Sequence, residues 1–238
     1  MKVTRGQTII EVPHLEGNLQ VIHPFLQGTY FNLAKRIDKQ GLQRPTMAET
    51  VSLIHDAYKN PDDDEVISDE IKSRMKNRWF YTFNGILYTP QGAFLQDNPE
   101  FTENASTAND LIMNESDLKS RLGSREEHGI VYSDDGLVRF VPYGFKRENQ
   151  SPLELSKNSY VIALAGEEGA DKLAYIASKH NEKPYLNTLI IGNEPVKRVA
   201  ALDFDWYGGR LSVDGNYLVL AGGCSFGVAK NFSSGNKA

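Results

Sequence analysis

Apolar residues recur along this chain in two rhythms, a period near two and a period near 3.6, and the rhythm changes several times. Thr8-Ile9-Ile10-Glu11-Val12 and Leu19-Gln20-Val21-Ile22 flank Gly17-Asn18, which predicts a hairpin. Helical spacing follows. Leu33 and Ile37 share one face of a first helix from Thr29 to Gln40, with Thr29 placed to cap it and Gly41 to end it. Thr46-Met47-Ala48-Glu49 is a capping box, and Thr50, Leu53, Ile54, Ala57 and Tyr58 line one side of the helix behind it. Ile67, Ile71 and Met75 mark a third helix over about 64–77.

At Arg78 the period shortens. Trp79 to Phe83 and Ile86 to Thr89 are β-favouring runs around Asn84-Gly85, and Ala93-Phe94-Leu95 follows a second turn. The reading is a three-stranded antiparallel meander turning at Asn84-Gly85, because both positions of such a turn need positive φ. Residues 97–109 are polar and turn-rich, a candidate subdomain boundary inside a single domain spanning 1–230. Beyond them come a helix over 115–122, a hairpin at Asp135-Gly136, and a capping box at Ser151-Pro152-Leu153-Glu154. Tyr160 to Ala165 is continuously apolar and reads as a buried strand, Glu167 to His180 as a helix, and Leu189-Ile190-Ile191 as a second buried strand. Strands at 199–204, 210–213 and 216–221, with a turn at Asp214-Gly215, precede a polar tail, 231–238, expected to be disordered. The predicted fold class is α+β: a helical N-terminal half over about 29–77, then a largely antiparallel sheet with a C-terminal β-α-β-like segment.

Composition narrows the function. The 238 residues are 40 % hydrophobic and 24 % charged, an ordinary folded composition. A net charge of -5 without a Lys/Arg block argues against broad nucleic-acid binding. The longest apolar run is far short of the roughly 20 residues that span a bilayer, and Met1 to Arg5 lacks an apolar signal core. A soluble, cytoplasmic protein without a membrane partner is expected. Cys224 is the single cysteine, so neither an internal disulfide nor a cysteine-based zinc site can form.

Candidate chemistry is sparse. Gly166-Glu167-Glu168-Gly169 lies between an apolar run and a helix, but Glu168 stands where a phosphate-cradling loop needs a neutral backbone approach. Gly28, Thr29, Ile37, Gly41 and Leu42 resemble the opening of an ADP-ribosyltransferase domain over about 15 residues. Gln27 replaces that family's histidine, and a capped helix with a glycine stop accounts for the same residues. His55-Asp56, with His23 upstream, is similar to the histidine-aspartate pair of metal-dependent phosphohydrolases, whose further ligands have no counterpart here. Ala200 to Asp205 resembles a haloacid-dehalogenase opening, yet too little chain follows for that family's other motifs.

Two features remain. Asp203 and Asp205 leave a strand on one side and can share a proton or a cation, and Trp206 and Tyr207 beside them offer flat surface for a ligand such as a sugar. Cys224 sits among Gly222, Gly223 and Gly227, where a thiol can be presented as a nucleophile with His180 or His128 as base. The expectation is a binding or interaction module, with a protein or a small molecule as partner and with no cofactor and no metal. The alternative is a small hydrolase or transferase with its site near Asp203, Asp205 and Cys224. Convergence of Asp203, Asp205, His180 and Cys224 in one hollow would favour the enzyme.

Overall fold

The computed structural model describes residues 8–15, 17–204, 209–217, 219 and 222–229. The strand pair β1 (Thr8–His14) and β2 (Gly17–Gly28) leads into α1 (Tyr30–Lys39), α2 (Met47–Lys59) and α3 (Glu65–Asn77). Next come β3 (Phe80–Thr89), β4 (Gly92–Asp97), α4 (Glu115–Arg121), β5 (Leu122–Glu127), β6 (Ile130–Ser133) and β7 (Val138–Pro142). The chain continues through β8 (Glu148–Asn149), α5 (Pro152–Ser156), α6 (Ser159–Ser178), β9 (Tyr185–Asn187), β10 (Val196–Phe204), β11 (Leu211–Tyr217) and β12 (Gly223–Val228).

Among the described residues all twelve strands join one mixed sheet. Its main path runs β5-β6-β7-β4-β3-β10-β11-β9-β8, and β12 bridges β2 to β3, so that the β1–β2 pair branches off the middle. β9 runs parallel to β11, and β12 parallel to β3 at Cys224 and Phe80. Strands on both sides of 97–109 pair directly, Phe94 opposite Phe140.

Each face of the sheet carries its own core. Leu53, Ile54, Ile71, Leu164, Leu173 and Ile176 of α2, α3 and α6 pack with Phe80, Leu202 and Val213 on one side. On the other, Tyr30, Leu33 and Ile37 of α1 pack with Tyr81, Phe83, Leu118 and Val199. Strand alternation produces the division: Phe80 belongs to the first core, Tyr81 and Phe83 to the second.

The architecture corrects the predicted fold class. The sheet dominates, and residues 29–77 are not a helical half; α1, α2 and α3 lie on opposite faces of a sheet to which β1 and β2 already belong. The β-α-β-like segment is absent. Tyr160 to Ala165 is the first half of α6, buried on all sides, where an unbroken apolar run looks the same in a strand or a helix. Asn158 starts that helix, its side chain accepting a hydrogen bond from the Tyr160 N–H at 3.0 Å. Leu189 to Ile191 forms no strand.

Asn84-Gly85 is not a turn either; β3 runs straight through it. Asn84 is buried because its amide serves the backbone and a neighbour. Oδ1 accepts from the Met47 N–H at the start of α2 (2.7 Å), and Nδ2 donates to Asp97 Oδ1 (2.6 Å). Gly85 lies where a Cβ would come within 2.6 Å of Met113 Sδ and 2.8 Å of Pro99 Cγ. Gly215 has the same kind of reason: β11 passes through it, and a Cβ there would overlap the Tyr160 hydroxyl. Gly222 to Gly227, the glycine-rich stretch around Cys224, is mostly β12.

Candidate functional site

β11 alternates buried and half-buried residues, and the sheet register shows what lines its less buried side. Leu211 and Val213 enter the first core. Ser212 and Asp214 point the other way. Asp203 of β10 pairs with Ser212, Ser212 with Tyr185 of β9, and Tyr185 with Asn149 of β8. One row of side chains therefore crosses four strands as Asp203, Ser212, Tyr185, Asn149. A second row, displaced by two residues, reads Tyr81, Ala201, Asp214, Asn187. Cross-strand partners share a face, so both rows belong to one surface. Tyr81 and Ala201 are buried in the second core, whereas Ser212, Asp214, Tyr185 and Asn187 are half-buried and Asn149 is exposed.

The rows are tied together by contacts. The Arg210 guanidinium lies 4.4 Å from the Tyr185 ring centroid, a cation–π arrangement, and donates to Asn149 Oδ1 at 3.1 Å. Asp214 accepts from the Asn216 N–H at 2.7 Å and from Asn187 Nδ2 at 3.2 Å. Burial nonetheless raises its carboxyl to about 6, the two hydrogen bonds offsetting part of that shift. Asp203 is buried at the same face, diagonal to Asp214, which sets the two Cβ atoms about 7 Å apart by sheet geometry. Burial, together with Tyr81 and the carboxylates of Asp214 and Asp203, holds the Tyr217 phenol well above its ordinary value. The surface thus offers two carboxylates, hydroxyl and amide groups, and an arginine laid over a tyrosine.

Among the described residues singled out from sequence, Asp203 alone reaches this face. Asp205, Trp206 and Tyr207 lie outside the described residues. His180 stands on the opposite side, its ring 4.1 Å from that of Phe204 and 5.6 Å from that of Tyr58. Burial, with Lys76 nearby, lowers its pKa. Cys224 is fully buried in β12, its thiol donating to the Trp79 carbonyl at 3.4 Å. Burial pushes that thiol up to about 12, despite the neighbouring Arg74 guanidinium. His128, the other candidate base, is exposed and holds Glu167 at 2.6 Å. Asp203, His180 and Cys224 therefore do not share a hollow.

The remaining motifs have structural occupations. Glu168 forms an ion pair with Lys172 and accepts from the Leu15 N–H, while Gly166 takes φ 75° at a kink in α6. Gly41, at φ 72°, ends α1. His55 packs on Tyr175 with ring centroids 4.8 Å apart, and His23 Nε2 lies 2.9 Å from Glu70 Oε2. Among the described residues no group of three or more His, Cys, Asp or Glu side chains is placed to hold a metal ion, and no helix is long and apolar enough to cross a membrane.

Sequence reasoning missed Ser212, Asp214, Tyr185, Asn187 and Arg210 as one surface. The polar-apolar alternation of 211–214 was visible, but assigning Asp214-Gly215 to a turn removed it from any strand face. No protein-family profile matches the chain, and no curated protein matches it by sequence. Among solved structures the chain is similar to one described as "Accommodation of massive sequence variation in Nanoarchaeota by the C-type lectin fold", with 11 % sequence identity, a TM-score of 0.47, and coverage of 94 % of this chain and 99 % of that one.

Proposed function

We propose that the chain is a binding module whose contact surface is the polar face of β8 to β11. One observation supports the reading: the two side-chain rows present Asp203, Ser212, Tyr185 and Asn149 beside Asp214 and Asn187, where the same strands turn Leu211, Val213 and Leu186 into the core. Carboxylates and a serine hydroxyl accept hydrogen bonds, Arg210 and Asn187 donate them, and the Tyr185 ring supplies a flat apolar patch. That combination suits a ligand rich in hydroxyl groups, a saccharide being the simplest.

Titrating the isotope-labelled protein with a panel of mono- and disaccharides, with amide chemical shifts as the readout, tests the proposal. Saccharide-dependent shifts confined to β9, β10 and β11, lost in Asp203→Asn and in Ser212→Ala, support it. Shifts elsewhere, or none with any member of the panel, reject it.

A further inference from the structure

On the other side of the molecule, β1 and the helices α2 and α3 enclose a groove of about 220 Å³ that uses no residue of the polar face. Five consecutive residues of β1, Thr8 to Val12, line it. Successive strand side chains point to opposite faces, so five in a row border one cavity only when the strand meets it edge-on. Among the described residues β1 pairs with β2 alone, which leaves its other edge toward the groove. A strand edge carries a row of backbone N–H and C=O groups. The contacts that fasten β1 to α6 lie farther along, where Lys172 Nζ reaches the Pro13 carbonyl (3.1 Å) and the Leu15 N–H reaches Glu168.

The opposite wall mixes polar and apolar side chains: Leu53 and Ala57 of α2 and Ile67 and Ile71 of α3 stand among Asp56, Asn60 and Ser68. Ile9, 56 % exposed, stands at the groove, and Val66, 78 % exposed, lies on the first turn of α3 beside the lining residue Ile67. The lining also includes Glu11, Asp56, Asp63 and Asp64 and contains no lysine or arginine. Asp64 is partly committed, capping α3 through the Ile67 N–H at 3.0 Å.

We infer that this groove docks an extended, basic peptide segment of a partner protein, which adds as a strand to β1, seats an apolar side chain against Ile9 and Ile67, and places lysine or arginine among Glu11, Asp56 and Asp63. An open strand edge bordering a groove with apolar side chains is the geometry of peptide recognition by strand addition. Charge complementarity selects a basic occupant over an acidic one.

The test uses the full-length protein and three capped seven-residue peptides: alternating lysine and valine, alternating glutamate and valine, and the lysine peptide with every backbone amide N-methylated. The lysine peptide is expected to move the amides of Thr8 to Val12 and of the first turn of α3. The glutamate peptide should bind at least tenfold more weakly, and so should the N-methylated one, which cannot donate to the β1 edge. Asp63→Lys, an exposed change that leaves the core intact, should weaken the lysine peptide at least fivefold. Equal binding of the N-methylated peptide overturns strand addition, and equal binding of the glutamate peptide overturns the charge argument. No binding at about 1 mM, the weak limit of a specific contact, or shifts confined to other elements, overturns the proposal as a whole.

Discussion

A carboxyl raised to about 6 takes up a proton in the folded protein more readily than in the unfolded chain, where its ordinary value is 3.8. Asp214 therefore weakens the fold as pH rises. Its cost is absent below about pH 4, grows between pH 4 and 6, and is full above that. Asp214→Asn keeps an oxygen to accept the Asn216 N–H and removes the charge. At pH 8 the variant should be more stable by about 1–2 kcal/mol, a figure reduced for solvent at this half-buried face. Urea unfolding at pH 8 and pH 4 measures the gain, which should vanish at the lower pH. If the variant also loses the saccharide response, Asp214 shows the trade-off between stability and activity that marks a working residue. Gly85 has a different vulnerability. Its φ is not in the left-handed region, and what a side chain there meets is Pro99 and Met113. Gly85→Ala should cost about 1–3 kcal/mol through overpacking, and a loss below 0.5 kcal/mol in denaturant unfolding would contradict this account.

At the scale of elements, α6 is the informative case. It is two helical stretches joined at Gly166, whose φ of 75° and ψ of 168° place it where only glycine sits without strain. Alanine has the higher helix propensity, so propensity alone says Gly166→Ala stabilises. The kinked backbone says the reverse, a loss of about 1–3 kcal/mol, and thermal unfolding decides between them. The same helix shows what was legible from sequence and what was not. Elements with a one-sided apolar stripe and a cap, such as α2 behind Thr46 and Glu49, follow from local spacing. So does the hairpin of β6 and β7 around Asp135-Gly136. Elements buried on all sides carry no periodic signature, which is why the first half of α6 read as a strand. Asn84-Gly85 and Asp214-Gly215 misled for a related reason: their glycines answer to Met113, Pro99 and Tyr160, neighbours remote in the chain. The candidate face inherits that difficulty. Asp203 stood out because it lies near a second acid in sequence, whereas Asp214 and Tyr185 join it only through pairing of β9, β10 and β11.

For the whole molecule, Cys224 is a built-in reporter. It is fully buried in the strand that connects β2 to β3, with its thiol at about 12. A thiol reagent should label it only when the sheet opens, at a rate proportional to the open fraction. Gly85→Ala should speed labelling by about tenfold for every 1.4 kcal/mol of stability lost. Rapid labelling of the native protein at neutral pH would contradict the burial. The position of β12 also sets an order in time. Gln27 of β2 pairs with Cys224, about 200 residues later. At the pace of protein synthesis that separation amounts to roughly 10–40 s. During that interval a nascent chain has made the β1–β2 hairpin but not the strand that joins it to the rest, so one long edge of β2 stands open to any other chain nearby. Aggregation during synthesis, and dependence on a chaperone that shields such an edge, should therefore be governed by how soon residues 223–228 leave the ribosome.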